Sequence, residues 1–205
     1  MKNSCSNRII FLLFFVFGFL GLKAQNELFS GKISPYITYE SNYSKILNRQ
    51  VQFSGYGLGL EWESGLSFGL TYYNLGTNFI TSQFSPNGQN WQMEIKYLSF
   101  MAAYKFYDMN KFILVGELGN GFGNVNFRSI NIQKNKYGLY TFEPTLHARY
   151  YVLKWLGLAT QFGYRLSFPG GPPKVSEFSS FKFDIGFTIA PFAFYEALKS
   201  NTLID

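Results

Sequence analysis

Glu143, Thr145, His147 and Arg149 stand at alternate positions, and their side chains are those from which acid–base chemistry is built. A spacing of two places a carboxylate, a hydroxyl, an imidazole and a guanidinium on one face of a β-strand. A histidine beside a carboxylate can hold and move a proton during a reaction. The same row has a second meaning: charges enclosed in a narrow space must pair with one another. His147 is the only histidine in the chain, which excludes a metal site made of several imidazoles. Cys5 is the only cysteine and lies ahead of an apolar run, so the rest of the chain has neither disulfides nor a thiolate nucleophile. The glycines of "GELGNGFGNVNF", residues 116–127, continue a strand alternation. A nucleotide-binding glycine loop would instead lie between a strand and a helix.

The elements that position this row come from period-two alternation, and the stretch 55–74 shows it most plainly. Tyr56, Leu58, Leu60 and Trp62 alternate with Gly55, Gly57, Gly59 and Glu61. Leu66, Phe68, Leu70 and Tyr72 then alternate with Ser67, Gly69, Thr71 and Tyr73. A three-residue turn, Glu63-Ser64-Gly65, joins the runs, with Gly65 suited to the left-handed position. The same pattern predicts strands at about 31–41, 49–62, 65–74, 92–107, 111–127, 137–151, 156–168 and 178–190. Links at 63–64, 108–110 and 152–155 are short, while 42–48, 75–91, 128–136 and 169–177 are longer. Short turns at one end and long loops at the other are the habit of outer-membrane barrels. Pro144 falls within a strand and removes a ladder donor, which predicts a bulge there. Asn120 points outward by parity, near the upper interface.

One register of these strands is aliphatic and aromatic and carries no charge. The other carries Lys32 together with Glu40, Glu61, Lys105, Glu117, Glu143, His147, Arg149, Arg165, Lys182 and Asp184, with many glycines. A soluble barrel would expose its charges and bury its aliphatics. Here the uncharged face suits hydrocarbon, where an outward Lys or Arg at midplane costs about 2–4 kcal/mol. An eight-stranded interior is just wide enough for side chains to fill. The predicted fold is therefore all-β, an eight-stranded antiparallel transmembrane up-and-down β-barrel. The ten inward charged residues from Glu40 to Asp184 are expected to form a structural ionic network in its lumen.

Lys2 and Arg8 precede the apolar run Ile9–Leu22, and Ala24 supplies a small residue after it. This is the layout of a cleaved signal peptide over residues 1–24. The run falls short of the roughly 20 residues needed to span a bilayer. Residues 25–190 then form the outer-membrane barrel, and 191–205 trail into the periplasm as a short helix or a disordered tail. Charged residues make up 15% of the chain against a usual share of about 25%. No basic stripe marks a nucleic-acid partner. Arg128, Lys134, Lys136 and Lys174 lie on loops and suit the phosphates of lipopolysaccharide.

The segments "EIKYLSFMAAYKFYDMNKFILVGELGNGFG" (94–123) and "KWLGLATQFGYRLSF" (154–168), with "LKAQ" at 22–25, resemble the PorT-like outer-membrane β-barrel (porin) family of Bacteroidetes-type bacteria. That resemblance implies the fold, the outer membrane of a Gram-negative cell envelope, and no catalytic residues. It also implies an accessory part in secretion for some members. The expected function is non-enzymatic: a structural, secretion-accessory or surface-interaction role through loops or tail. Its partners would be outer-membrane lipid, lipopolysaccharide and other envelope or secretion proteins, with no cofactor. Two alternatives are a small-solute conduit and a lipid A-modifying enzyme. Enzymes of the latter kind work with a histidine and a serine at the outer leaflet. By parity His147 points inward, near the periplasmic end of its strand.

Overall fold

The computed structural model describes residues 29–82, 90–109, 111–129, 134–171 and 175–200. The predicted signal peptide lies outside the described residues. Nine strands follow in order: β1 (Ile33–Ile46), β2 (Arg49–Trp62), β3 (Leu66–Leu75), β4 (Phe79–Thr81), β5 (Trp91–Met109), β6 (Phe112–Ser129), β7 (Lys134–Leu153), β8 (Leu156–Pro169) and β9 (Ser180–Ile189). Two helices complete the list, α1 (Val175–Phe178) and α2 (Pro191–Lys199). Every pairing is antiparallel; β9 returns to β1 and β3 pairs with β5, so the sheet closes on itself. The three residues of β4 continue the line of β3 along β5, with Phe79 opposite Met93. The result is an eight-stranded antiparallel barrel. Both described chain ends lie at one end of it, here called the terminal end; the opposite end is the far end.

Most predicted strands are found within two or three residues of their expected limits. The largest difference is at the first connection. Residues 42–48 were expected to be a long loop, but β1 runs to Ile46 and only Leu47 and Asn48 turn the chain. Both have positive φ, 51° and 61°, as a tight hairpin turn of the twisted-sheet type requires. Leucine is a poor residue for that conformation. Its amide donates to the Glu177 carbonyl of α1 at 2.8 Å, and its side chain packs on the interior, which together hold it there. At the Glu63–Gly65 turn, Gly65 takes the expected left-handed position with φ of 91°. Pro144 makes no bulge. Phe142 pairs with Leu166 and Thr145 with Gly163 in one unbroken register, and the ladder to β8 merely skips the two residues between. A missing donor is accommodated by a local gap rather than an inserted residue. The register shifts lie elsewhere, between Lys105 and Tyr107 and between Tyr151 and Leu153, both at the terminal end.

In the terminal half of the barrel the two faces divide as expected. Leu58 is 64% exposed and Phe122 65%, while Lys182 is 2% exposed and Asp184 fully buried. In the far half the division reverses. On β2, Val51 and Phe53 are buried in the same register as Gly55, Gly57, Gly59 and Glu61. Gln50 and Gln52 face outward in the register of Tyr56 and Leu58. On β5, Trp91, Met93, Ile95 and Tyr97 are buried, and Gln92 and Lys96 are exposed. The far interior is thus an apolar core, joined by Val125, Phe127, Leu139 and Phe178.

The change of polarity falls along one line across the sheet. Tyr56, Tyr72, Leu98, Phe122, Tyr140 and Phe168 are successive cross-strand partners on β2, β3, β5, β6, β7 and β8. Two residues further toward the far end the partners are Ser54, Asn74, Lys96, Asn124 and Gly138. Aromatic residues collect where hydrocarbon gives way to headgroups. Beyond this row the outside of the barrel is polar and the inside apolar, as in a soluble β-structure. Close packing across the interior demands glycine at the boundary. A Cβ on Gly55 would meet the Tyr73 ring at 2.6 Å, and one on Gly123 would collide with the Lys96 carbonyl and the Tyr97 side chain.

Two outward positions on β2 test this boundary. Leu58→Arg is expected to lower stability by about 2–4 kcal/mol, the cost of a cation in hydrocarbon. Gln52→Arg, six residues away in the same register, should change it by less than about 0.5 kcal/mol, as exposed substitutions do. Urea unfolding of the protein in lipid vesicles measures both.

Candidate functional site

The ten charged residues expected to form the network all project into the barrel, from the seven strands β1, β2 and β5–β9. They form three groups along its axis. Nearest the apolar core, Glu143 on β7 receives Arg165 Nε of β8 at 3.1 Å and Lys182 Nζ of β9 at 2.9 Å. Lys182 also stands 3.4 Å from Asp184. Arg165 donates to the Ser44 hydroxyl at 3.1 Å, and its guanidinium lies 4.5 Å from the centre of the Phe53 ring and 5.4 Å from that of Tyr97. One face of this cation therefore meets aromatic rings while its edge meets a carboxylate.

In the middle, His147 Nε2 lies 3.3 Å from Glu117, and the Thr145 hydroxyl donates to the same carboxylate at 3.4 Å. Glu40 accepts a 2.7 Å hydrogen bond from the Tyr73 hydroxyl. At the terminal mouth, Arg149 pairs with Glu61 at 3.1 Å and donates to the Tyr151 hydroxyl at 3.4 Å. Lys105 is 4.0 Å from Glu61 and 2.8 Å from Asp108. The first two groups are buried. The third is partly open to water.

Thr145 was named in the row, but sequence reasoning gave Tyr73 and Tyr97 no part in the network and missed one charge. Tyr73 and Tyr97 share the inward register with Thr71 and Ser99, so parity alone places them inside. They stack on each other with ring centroids 4.8 Å apart. Asp108 escaped because the shift after Lys105 breaks the alternation that would have marked it. Asn120, placed outward by parity, is half-buried and accepts a 2.9 Å hydrogen bond from Tyr140.

Proton transfer needs access as well as a histidine and a carboxylate. The cavity lined by Glu40, Glu117, His147 and Gln161 has a volume of about 10 Å³. That is room for about one water molecule. His147 itself is buried, on the lumen side of the wall and away from the lipid face. Among the described residues, no group of three His, Cys, Asp or Glu side chains is placed to hold a metal ion.

No family model matches the chain, and no curated protein sequence matches it. Solved structures do. Neisserial surface protein A, NspA, is similar over 77% of this chain and 96% of its own, with a TM-score of 0.59 at 10% identity. Ail, the attachment invasion locus protein of Yersinia pestis, is similar over 78% of this chain and 98% of its own, with a TM-score of 0.51 at 15% identity. The N-terminal β-barrel domain of Pseudomonas aeruginosa OprF gives 0.52 at 10% identity, over 77% of this chain and 98% of that domain. Ail has also been solved in complex with the heparin analogue sucrose octasulfate. At these identities the likeness is one of fold: this chain has the eight-stranded barrel architecture of outer-membrane proteins.

The two ends of the ionic network should differ in what they contribute. Glu143→Gln leaves two buried cations without their shared carboxylate and is expected to cost about 3–5 kcal/mol. Asp108→Asn removes a pair at the wet mouth and should cost no more than about 1 kcal/mol. Unfolding midpoints followed by heat-modifiable electrophoretic migration distinguish the two.

Proposed function

We propose that this chain is a non-enzymatic outer-membrane protein that acts through the part of its barrel standing beyond the bilayer. In this reading residues 1–24 are a cleaved signal peptide, 25–190 the barrel, and 191–205 a periplasmic tail. The observation that carries it is the reversal of polarity along the strands. Past the row from Tyr56 to Phe168, β5, β6 and β7 continue as a paired sheet for six or seven residues each, packed on an apolar core. Hydrocarbon does not call for such a rim. A rigid platform above the membrane does, because loops carried on a stable scaffold are where binding surfaces are commonly built.

The chemistry of the outer wall supports an anionic partner. Lys96 is exposed one step beyond the aromatic row, and Lys45 and Lys136 are exposed further out. Arg128 is partly engaged with Glu94 at 3.2 Å. Lys96 stands at the level where lipid phosphates would lie, and the outer residues suit the phosphates of lipopolysaccharide or the sulfates of a glycan. The complex of Ail with sucrose octasulfate is an instance of the latter on a barrel of this fold. Lys174 lies outside the described residues. The PorT-like resemblance of residues 94–123 and 154–168 adds kinship to that family and a secretion-accessory role to the proposal.

A lumen filled by the ion network below and aromatics above argues against the conduit. Purified protein in planar bilayers is expected to give no stepwise currents, and their appearance would favour solute passage instead. A lipid A-modifying activity would need a reactive group at the lipid face, whereas His147 is sealed inside. Binding of the full-length protein to lipopolysaccharide and to immobilised heparin tests the main reading. Lys96→Glu with Lys136→Glu should weaken binding several-fold and flatten its dependence on salt, since fewer exposed charge contacts remain to be screened. Unchanged binding would remove the anionic partner.

A further inference from the structure

Helix α2 ends the described chain with an apolar face that the barrel does not cover. Ala197 is buried and Ala193 half-buried against the barrel, while Phe192, Phe194, Tyr195 and Leu198 are exposed. Positions three and four apart share a helix surface, so these four side chains form one continuous patch. None of them lines the lumen cavity.

From this arrangement we infer that α2 is an interfacial anchor, lying in the bilayer leaflet at the terminal end with its aromatic patch among lipid headgroups and upper acyl chains. The occupant follows from continuity with the lipid face of the barrel. Only Ala190 separates the helix from β9, and its amide is held by the Trp155 carbonyl at 2.9 Å. Phe183, Ile185 and Phe187 of that strand are exposed on the hydrocarbon side. The link is too short for α2 to begin anywhere but at the edge of that surface. Phe194 packs edge-on against Trp155 with centroids 4.8 Å apart, which extends the aromatic rim from the β7–β8 turn onto the helix. On the polar side, Glu196 stands 3.9 Å from Lys32 at the start of the barrel wall. A helix of nine residues is about 13.5 Å long, which suits lying along an interface and is far too short to cross one. Aromatic and aliphatic side chains on one face with lysine beside them are the composition of helices that rest in this zone.

The test uses the full-length protein in vesicles of phosphatidylethanolamine and phosphatidylglycerol. A nitroxide is placed by Tyr195→Cys or, on the exposed polar flank, by Glu196→Cys, each in a Cys5→Ser background. Heat-modifiable migration confirms that each labelled barrel is folded. At position 195 the label should collide several-fold more readily with oxygen than with a water-soluble nickel chelate, and at 196 the preference should reverse. Free access of the nickel chelate at 195 would place the helix in water and overturn the assignment. A label at 195 shielded from both reagents, with broadening that grows as protein is concentrated in the vesicle, would overturn it in favour of a second copy.

Discussion

Glu143 holds the barrel together at the point where its two kinds of interior meet. Its carboxylate is shared by Arg165 and Lys182, which reach it from β8 and β9. Neither cation could be left in that interior alone, because a buried charge without a partner costs several kcal/mol. Arg165 then turns its guanidinium toward Phe53 and Tyr97, two rings of the apolar core. A guanidinium can do both, since it is planar, weakly hydrated and stacks on aromatic faces while its edge forms directed hydrogen bonds. The ionic middle thereby ends in a surface on which an aromatic cluster can rest.

The reversal of polarity along β2 and β5–β7 follows from a change of solvent. Inside the bilayer the outer face needs hydrocarbon-compatible side chains, so polar groups go inward and must satisfy one another. Past the headgroups the outer face meets water, and the cheapest filling for the interior is again apolar. One continuous sheet answers both demands by shifting its hydrophobic alternation by one residue at the row from Tyr56 to Phe168. Gly55 and Gly123, the cross-strand partners of Tyr73 and Tyr97, leave room for those rings to lie over the neighbouring strands.

The fold was legible because the terminal half repeats one rule on every strand. Leu156, Leu158 and Phe162 against Gly157 and Arg165, or Phe183 and Ile185 against Lys182 and Asp184, state it without ambiguity. The far rim was not legible by the same rule. Strands were expected through Val51 and Phe53, but their change of phase with Tyr56 was not read as a change of surroundings. Residues 42–48, with Asn42, Ser44, Lys45 and Asn48 among them, were expected to be a loop although Asn42 and Ser44 are buried wall residues. The ionic residues were identifiable individually, yet their grouping was not. Which carboxylate meets which cation depends on stagger between strands, and no local pattern encodes that.

The inward charges also fix the register of the barrel. A slip of one residue exchanges the two faces of a strand. On β8 and β9 it would carry Arg165 and Lys182 into hydrocarbon, and on β7 Arg149. The cost of each exposed cation reaches about 2–4 kcal/mol at the midplane and falls toward either interface, so Arg149 at the mouth adds least. A lumen filled with leucine could be as dense, but it would leave a slipped strand apolar on both sides and penalise the slip far less. Paired charges in the middle therefore give the sheet one alignment, and that alignment is what makes the six residues from Tyr56 to Phe168 partners across neighbouring strands and holds the rim beyond them in a single shape.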